Sequence, residues 1–369
     1  MSNKLWVDKH RPTLLNQMTY HEAQAKQLIA LKQGSDFPHL LFYGPSGAGK
    51  KTRAMAFLRE IYGAVSINKL RFENMELTAP SGAKIKLRAI ATNYHIDVTP
   101  SDCGFHDRVV IQEVIKNLAS TTRLGADSTG AKKFKVVIMN DVDRLTKDAQ
   151  HALRRTMEKY VSSCRIILIC TSTSKVIQAI RSRCLPIRVA APTDEQVLNS
   201  LMQVAKAEGI SLPARLASRI TEKSDRSMRR ALLMLQACFV SQNPLRDEQE
   251  VHDLDWKQYL CETAKLMLEE YNNERLIKIR ERLYELQIHL IPSSIIIMTL
   301  VDEIVKSLPS CLKSEVIRLA ANSEHTLQLG SKDIFHLERF VVQFMFLHQQ
   351  YNERGVIEQL DFSSDMDMD

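Results

Sequence analysis

Three continuous apolar runs mark the first half of the chain: His39-Leu40-Leu41-Phe42-Tyr43, Lys135-Val136-Val137-Ile138-Met139 and Arg165-Ile166-Ile167-Leu168-Ile169-Cys170. Runs without polar alternation suit strands covered on both faces, as in a parallel α/β sheet. Helical patterns lie beside and between them, from Lys50 to about Glu60 and at about 107–119 and 146–160. Pro186 and Pro192 bracket a stretch, Ile187–Ala191, that reads as a linker, and beyond it the β signals fade. Residues 193–242 read as three or four short helices, and the polar stretch from Ser241 to Glu250 reads as a second boundary. From Asp255 to Tyr351 the pattern is helical throughout. Leu276, Ile279, Leu283, Leu286 and Leu290 recur at spacings of three and four, as do Ile334, Leu337, Val341 and Phe344. Such stripes predict the core of a helical bundle. Val356–Asp369 is acidic, carries no basic residue, and reads as disordered.

Composition narrows the class without naming a function. A chain of 369 residues has room for two or three domains, each with its own core. No stretch approaches the ~20 apolar residues that cross a bilayer, and the first residues lack the apolar core of a signal peptide. The seven cysteines are scattered and never form C-x-x-C, which favours reduced thiols in cytosol or nucleus over a disulfide framework or a zinc site. The net charge of +7 is compatible with an anionic partner such as nucleic acid, and by itself says little more.

The first apolar run ends in Gly44-Pro45-Ser46-Gly47-Ala48-Gly49-Lys50-Lys51, and a helix follows. This is the phosphate-binding pattern G-x-x-x-x-G-K-S/T with its last place changed. Backbone N–H groups of such a loop cradle phosphates at a helix N-terminus, and Lys50 would reach the β- and γ-phosphates. The hydroxyl expected next would ligate the magnesium bridging those phosphates. Lys51 stands there instead, a cation with three donors and no acceptor. Thr52 comes one residue late, about 100° further around the helix. The strand Lys135–Met139 is followed by Asn140-Asp141-Val142-Asp143, where a nucleotide hydrolase carries one carboxylate for the metal shell and one to orient water. Asn140 supplies no charge, and Asp141 is a methylene shorter than the usual glutamate. Both departures bear on the metal, and Lys51 would place an ammonium where magnesium binds. The loop therefore reads as one that holds ATP or ADP with little magnesium and hydrolyses it slowly or not at all.

Joined to Leu5-Trp6-Val7-Asp8-Lys9-His10-Arg11-Pro12, the loop gives the chain a strong resemblance to the small subunits of replication factor C, AAA+ ATPases that form sliding-clamp loaders. The family box reads W-V-x-K-Y-R-P, with His10 here in place of tyrosine. Further matching stretches are Leu145–Tyr160, Ser182-Arg183-Cys184 and Met228-Arg229-Arg230-Ala231, so the resemblance runs from Leu5 to about Tyr351. The glycine loop ending in two lysines, the Asn-Asp strand end and the segment Leu329–Glu338 resemble the subunit type numbered three in animals and five in budding yeast. That type occupies one end of a five-membered arc.

The resemblance implies an AAA+ α/β domain with a parallel sheet over 1–190, a small helical lid over 191–245, an all-α collar over 250–352 and an acidic tail over 353–369. It implies four other replication factor C subunits, the sliding clamp PCNA and primer–template DNA as partners, no membrane, and a nuclear location in DNA replication and repair. Arg183 would be the finger reaching the neighbouring subunit's γ-phosphate, and Arg229 the lid arginine on the chain's own nucleotide. Val7, Arg11 and Pro12 would lie against adenine, and Thr171 stands where the family often has a sensor asparagine. With Gly44 through Thr52, Asn140 and Asp141 these complete the expected nucleotide site, with no residue assigned to metal. Arg108, and after it Lys147 and Lys175, would meet the DNA backbone, and Ile115–Leu124 would face the clamp. Two other readings compete: a self-sufficient P-loop ATPase of the kinase or helicase kind, and a scaffold with an empty pocket. Lys51 and Asn140 argue against the first, and the intact Gly44, Gly47, Gly49 and Lys50 against the second.

Overall fold

Successive residues of the first apolar run face opposite sides of one sheet, and each side is covered. Leu40 and Phe42 pack with Val136, Ile138, Ile167 and Ile169 beneath Phe57 and Leu58, while Leu41 packs with Val137, Met139 and Leu168 beneath Val114 and Leu153. The period of two along a strand makes a polar residue costly on either face, which is why the runs are continuous. The computed structural model of the chain describes all residues except 1–3, 34–35, 64–66, 68, 79–83, 121–133, 252, 270–271, 331 and 367–369. It divides into two compact units, Met1–His252 and Asp253–Asp369.

The strands of the first unit are β1 (His39–Tyr43), β2 (Arg71–Thr78), β3 (Lys84–Ala91), β4 (His95–Val98), β5 (Lys135–Met139), β6 (Cys164–Cys170) and β7 (Cys184–Arg188). They form one sheet in the order β2-β3-β4-β5-β6-β1-β7. The pairs from β4 through β5, β6 and β1 to β7 are parallel, whereas β2–β3 and β3–β4 are antiparallel. The expected parallel sheet is therefore its centre, extended by an antiparallel edge. The stretch read as a linker needs correction. Pro186 and Ile187 belong to β7, which pairs with β1 along its whole length. Proline is tolerated there because β7 is an edge strand whose outer side needs no donor.

The helices of this unit are α1 (Trp6–Lys9), α2 (Glu22–Gln33), α3 (Lys50–Tyr62), α4 (Asp107–Ser120), α5 (Lys147–Lys159), α6 (Gln178–Arg181), α7 (Asp194–Ala207), α8 (Ala214–Lys223) and α9 (Met228–Ser241). The last three make the lid, around Val197, Leu201, Leu216, Ile220, Ala231 and Leu235. Leu245 and Val251 are buried in that same cluster, so the polar stretch after α9 belongs to the lid core rather than standing off as a spacer. Trp6 joins it too, its ring centroid 5.2 Å from that of Phe239 and its backbone N–H donated to the Gln236 side-chain oxygen at 3.0 Å. The N-terminal segment is thereby pinned to the lid.

The second unit is all helix: α10 (Asp255–Leu268), α11 (Asn273–Ile288), α12 (Ser293–Ser307), α13 (Ser310–Leu329) and α14 (Asp333–Met366). Ile279, Leu283, Leu286, Ile334, Leu337, Val341 and Phe344 share one core. Leu290 departs from the stripe expected of it. It lies past the end of α11 with φ of 59° and is exposed, because the chain has already turned out of the helix. The tail expected to be disordered is carried by α14 to Met366. Once a packed segment such as Phe340–Met345 has nucleated a helix, each further residue adds a hydrogen bond, and composition alone does not stop it.

Candidate nucleotide site

β1 runs into the glycine loop at Tyr43 and α3 begins at Lys50, with Gly49 as its left-handed N-cap. Gly47 has φ of 80°, and a Cβ there would lie 2.0 Å from Ser227 Oγ, the residue preceding α9. The lid therefore meets the loop so closely that only glycine fits. Gly44 is equally confined, since its Cβ would lie 1.9 Å from the Val189 carbonyl oxygen. Tyr20 donates its hydroxyl to the Ala48 carbonyl at 2.9 Å, and Arg53 stacks over the Tyr20 ring while donating to its carbonyl. Pro45 and Ser46 form the exposed tip of the loop.

Lys50 is buried and donates to the carbonyls of Gly44 at 2.7 Å and Pro45 at 2.9 Å. Burial holds its pKa below the ordinary lysine value. The ammonium thus sits inside the curl of the loop, where phosphate oxygens would compete with two neutral carbonyls for it.

The metal-facing positions are arranged differently from what sequence alone suggested. Lys51 Nζ lies 2.5 Å from Oδ2 of Asp97, a buried residue of β4. Asn140 donates its side-chain N–H to Asp97 Oδ1 at 2.6 Å, with the Val98 carbonyl and Thr99 hydroxyl oxygens each at 3.3 Å. Both departures from the phosphate-loop pattern thus meet on one carboxylate that sequence reasoning missed. Its signal was a single acid in the short strand His95-Ile96-Asp97-Val98, which becomes central only through pairing with β5. The residues at positions 51 and 140 do not fit a bridging magnesium, since one offers an ammonium and the other a donating amide. Among the described residues no cluster of His, Cys, Asp or Glu is arranged to hold a metal ion.

Asp141 takes a left-handed conformation with φ of 50°. Asp143, also missed, accepts the Thr171 N–H at 3.2 Å and the Thr171 hydroxyl, so the residue expected at the sensor position is engaged by a carboxylate.

On the other side of the loop lies a cleft of about 530 Å³, inside the range of small-molecule sites. Its walls bring together Val7, Arg11, Pro12, Gly47, Gly49, Thr52 and Arg229, all expected from the sequence, and add Tyr20, Ser200 and Met228, which were not. Glu208, at the end of α7, pairs with Lys9 at 2.7 Å and with the His10 ring. His10, the departure from the family box, therefore ties the N-terminal segment to the lid.

Arg183 lies elsewhere. It follows α6 and precedes β7, whose Cys184 is in register with His39 at the start of β1, whereas the glycine loop leaves the other end of that strand. Four steps of about 3.3 Å put the two ends roughly 13 Å apart. Its guanidinium pairs with Glu158 at 2.5 Å and donates to the Ala179 carbonyl at 2.7 Å, beside a second cavity of about 440 Å³ lined by Asp36, His39 and Arg165.

The three basic residues expected to meet DNA are exposed on adjoining elements. Buried Asp107 accepts from the Arg108 N–H at 2.7 Å and from the N–H and hydroxyl of Thr146, the N-cap of α5, at 2.8 and 3.0 Å. That carboxylate locks the starts of α4 and α5 together, with Arg108 and Lys147 on them. Gln150 donates to the Lys175 carbonyl at 3.1 Å and holds the third segment to α5. Of the stretch expected to face the clamp, Ile115 and Leu118 are instead buried in the sheet core, because they form the inner face of α4. Residues 121–124 lie outside the described part.

A strand, glycine loop and helix on a mainly parallel sheet, closed by a three-helix lid, define a P-loop protein of the AAA+ class. Family models agree segment by segment: "DNA polymerase III, delta subunit" over residues 20–193, "RCF1/5-like, AAA+ ATPase lid domain" over 199–240, and "Replication factor C subunit 3, C-terminal domain" over 256–352. Replication factor C subunit 3 of Bos taurus is 54% identical over 352 residues, covering 95% of this chain and 98% of the relative. The Homo sapiens protein of that name is 53% identical over the same spans. That of Arabidopsis thaliana is 45% identical, over 94% of this chain and 98% of its own. The chain belongs to this family, subunit 3/5 of the replication factor C clamp loader. Among the described residues no helix is long and apolar enough to cross a membrane.

Proposed function

We propose that this chain is the nucleotide-holding, arginine-donating subunit of a five-membered complex that opens a ring-shaped clamp, PCNA, and loads it onto primer–template DNA in the nucleus. The observation that carries the reading is the separation of two half-sites along one strand. The loop at one end of β1 has its metal-facing positions filled by Lys51 and Asn140 on Asp97. The arginine at the other end is too far from that loop to serve it. An arginine in such a place is useful to a nucleotide bound by a neighbouring subunit, where a guanidinium supplied in trans accelerates phosphoryl transfer by about 10³–10⁵. The Glu158 carboxylate would hold it until a γ-phosphate competes for the same fork.

In this reading the loop, the cleft and Arg229 bind ATP or ADP, with Val7, Arg11 and Pro12 beside the base. The chain's own hydrolysis is weak because nothing orients a metal or a water. Arg108, Lys147 and Lys175 track the DNA backbone in a sequence-independent, salt-sensitive way. The second unit assembles the arc.

The test is Arg183→Ala in a reassembled complex. Turnover at the neighbouring site falls by about 10³ or more, while nucleotide retained by this chain is unchanged. Equal loss of both overturns the trans role and favours a self-sufficient ATPase.

A further inference from the structure

Lys51 and Asn140 look like two separate losses until their shared partner is considered. Asp97 is a buried carboxylate, with only 5% of its side chain exposed. Burying a carboxylate is costly unless its charge is matched and its oxygens are hydrogen-bonded. Lys51 supplies the charge on Oδ2, and Asn140 supplies the N–H on Oδ1. A carboxylate at position 140 would sit against Asp97 and repel it. A hydroxyl at position 51 would leave Asp97 without a counter-charge. Each residue makes sense only with the other two, so the three form one device.

The place this device occupies is set by the fold. Position 51 is the second residue of α3, directly after the phosphate-facing lysine, and Asn140 follows the last residue of β5. Between them a magnesium-dependent loop of this kind builds its metal shell. Here the same space holds a cation that belongs to the protein, anchored by an acid from the next strand.

We propose that the Lys51–Asp97–Asn140 group substitutes for the divalent cation of this site, with Asp97 as the positioning residue, so that the chain binds nucleoside di- and triphosphates equally well without magnesium. This rests on the reading of the glycine loop as a nucleotide site. The ammonium of Lys51 presents N–H donors where magnesium otherwise meets the phosphates; with its charge matched by Asp97, it adds hydrogen bonds rather than net positive charge. It brings no water shell, so there is no ordered nucleophile. The carboxylate of Asp97 is a latent metal ligand, silenced by the lysine.

The experiment is calorimetric titration of the full chain with ADP and with ATP, each in excess magnesium and in excess EDTA. For the unaltered chain the dissociation constants agree within about twofold between the two conditions. Lys51→Thr exposes the Asp97 carboxylate to a hydroxyl, and magnesium then tightens binding by about tenfold or more. Lys51→Thr with Asp97→Asn loses that gain, which a purely structural role for Asp97 would not bring about. Magnesium tightening binding to the unaltered chain by about tenfold overturns the proposal, as does a Lys51→Thr chain that stays indifferent to the metal. Absence of binding in either condition overturns it together with the nucleotide-site reading. The unaltered chain decides the main point even where a substituted one fails to fold.

Discussion

The two ends of β1 treat the same chemistry in opposite ways. At the loop end, cradle, lysine and cleft are intact, but the positions that would handle a metal are tied into an ion pair with Asp97. At the other end an arginine sits on a short turn, held by Glu158 and Ala179 and by nothing in the loop. In the proposed reading, one end keeps the means to bind and has given up the means to cut. In the same reading the other would supply a catalytic group to a neighbour rather than to this chain. A single polypeptide that divided binding from catalysis in this way would make sense only beside a neighbour.

Predictions that strain this contrast can be ordered by size. Arg183→Lys keeps the charge but loses the planar fork, and is expected to forfeit most of the ~10³ that the arginine gives the neighbouring site. Steady-state hydrolysis by the reassembled complex measures it, and an unchanged rate would contradict the proposed trans role of Arg183. Next comes acid stability. His95 and His39 are buried neutral, each with its pKa pushed down to about 4 chiefly by burial. An unfolded histidine takes its proton near 6.5, so the stability from each is complete above that pH and is lost as pH falls from about 6.5 towards 4. The expected loss is about 3 kcal/mol for each residue. Denaturant unfolding followed at pH 7 and below 5 should show the Met1–His252 unit weakening sharply.

At the loop, Lys50→Ala removes a charged donor and weakens nucleotide binding by about 10- to 100-fold, with no effect on the help given to the neighbour. Smallest of all, Glu158→Gln breaks an exposed ion pair and should leave the unfolding free energy essentially unchanged. It should not lower hydrolysis by the complex. A large stability loss there would mean that Arg183 is a structural residue after all.

Much of this was legible in the chain. The runs at 39–43, 135–139 and 165–170 announced buried strands because both faces of the central sheet are covered, and the glycines at 44, 47 and 49 announced a phosphate-binding loop. The residues gathered at the cleft came from motif resemblance, and Val7, Arg11, Pro12 and Arg229 do line one cleft. What escaped notice depends on tertiary pairing. β4 is a four-residue strand with no pattern of its own, and Asp97 matters only because β5 carries Asn140 past it. Pro186 read as a break because proline usually ends a strand, and only the position of β7 at the sheet edge makes it harmless. Leu290 fitted a helical stripe by count, but the helix stops two residues earlier. Ile115 and Leu118 looked available to a partner until the sheet was seen to cover them.

The most direct test of a loop that holds nucleotide without cutting it is the turnover of the purified chain itself, given ATP and excess magnesium and compared with its Lys50→Ala variant. The account predicts that the two are indistinguishable in hydrolysis although only the unaltered chain binds nucleotide tightly. Hydrolysis by the unaltered chain at about 1 per second, within the ordinary range of enzymes, and abolished by Lys50→Ala, would contradict it.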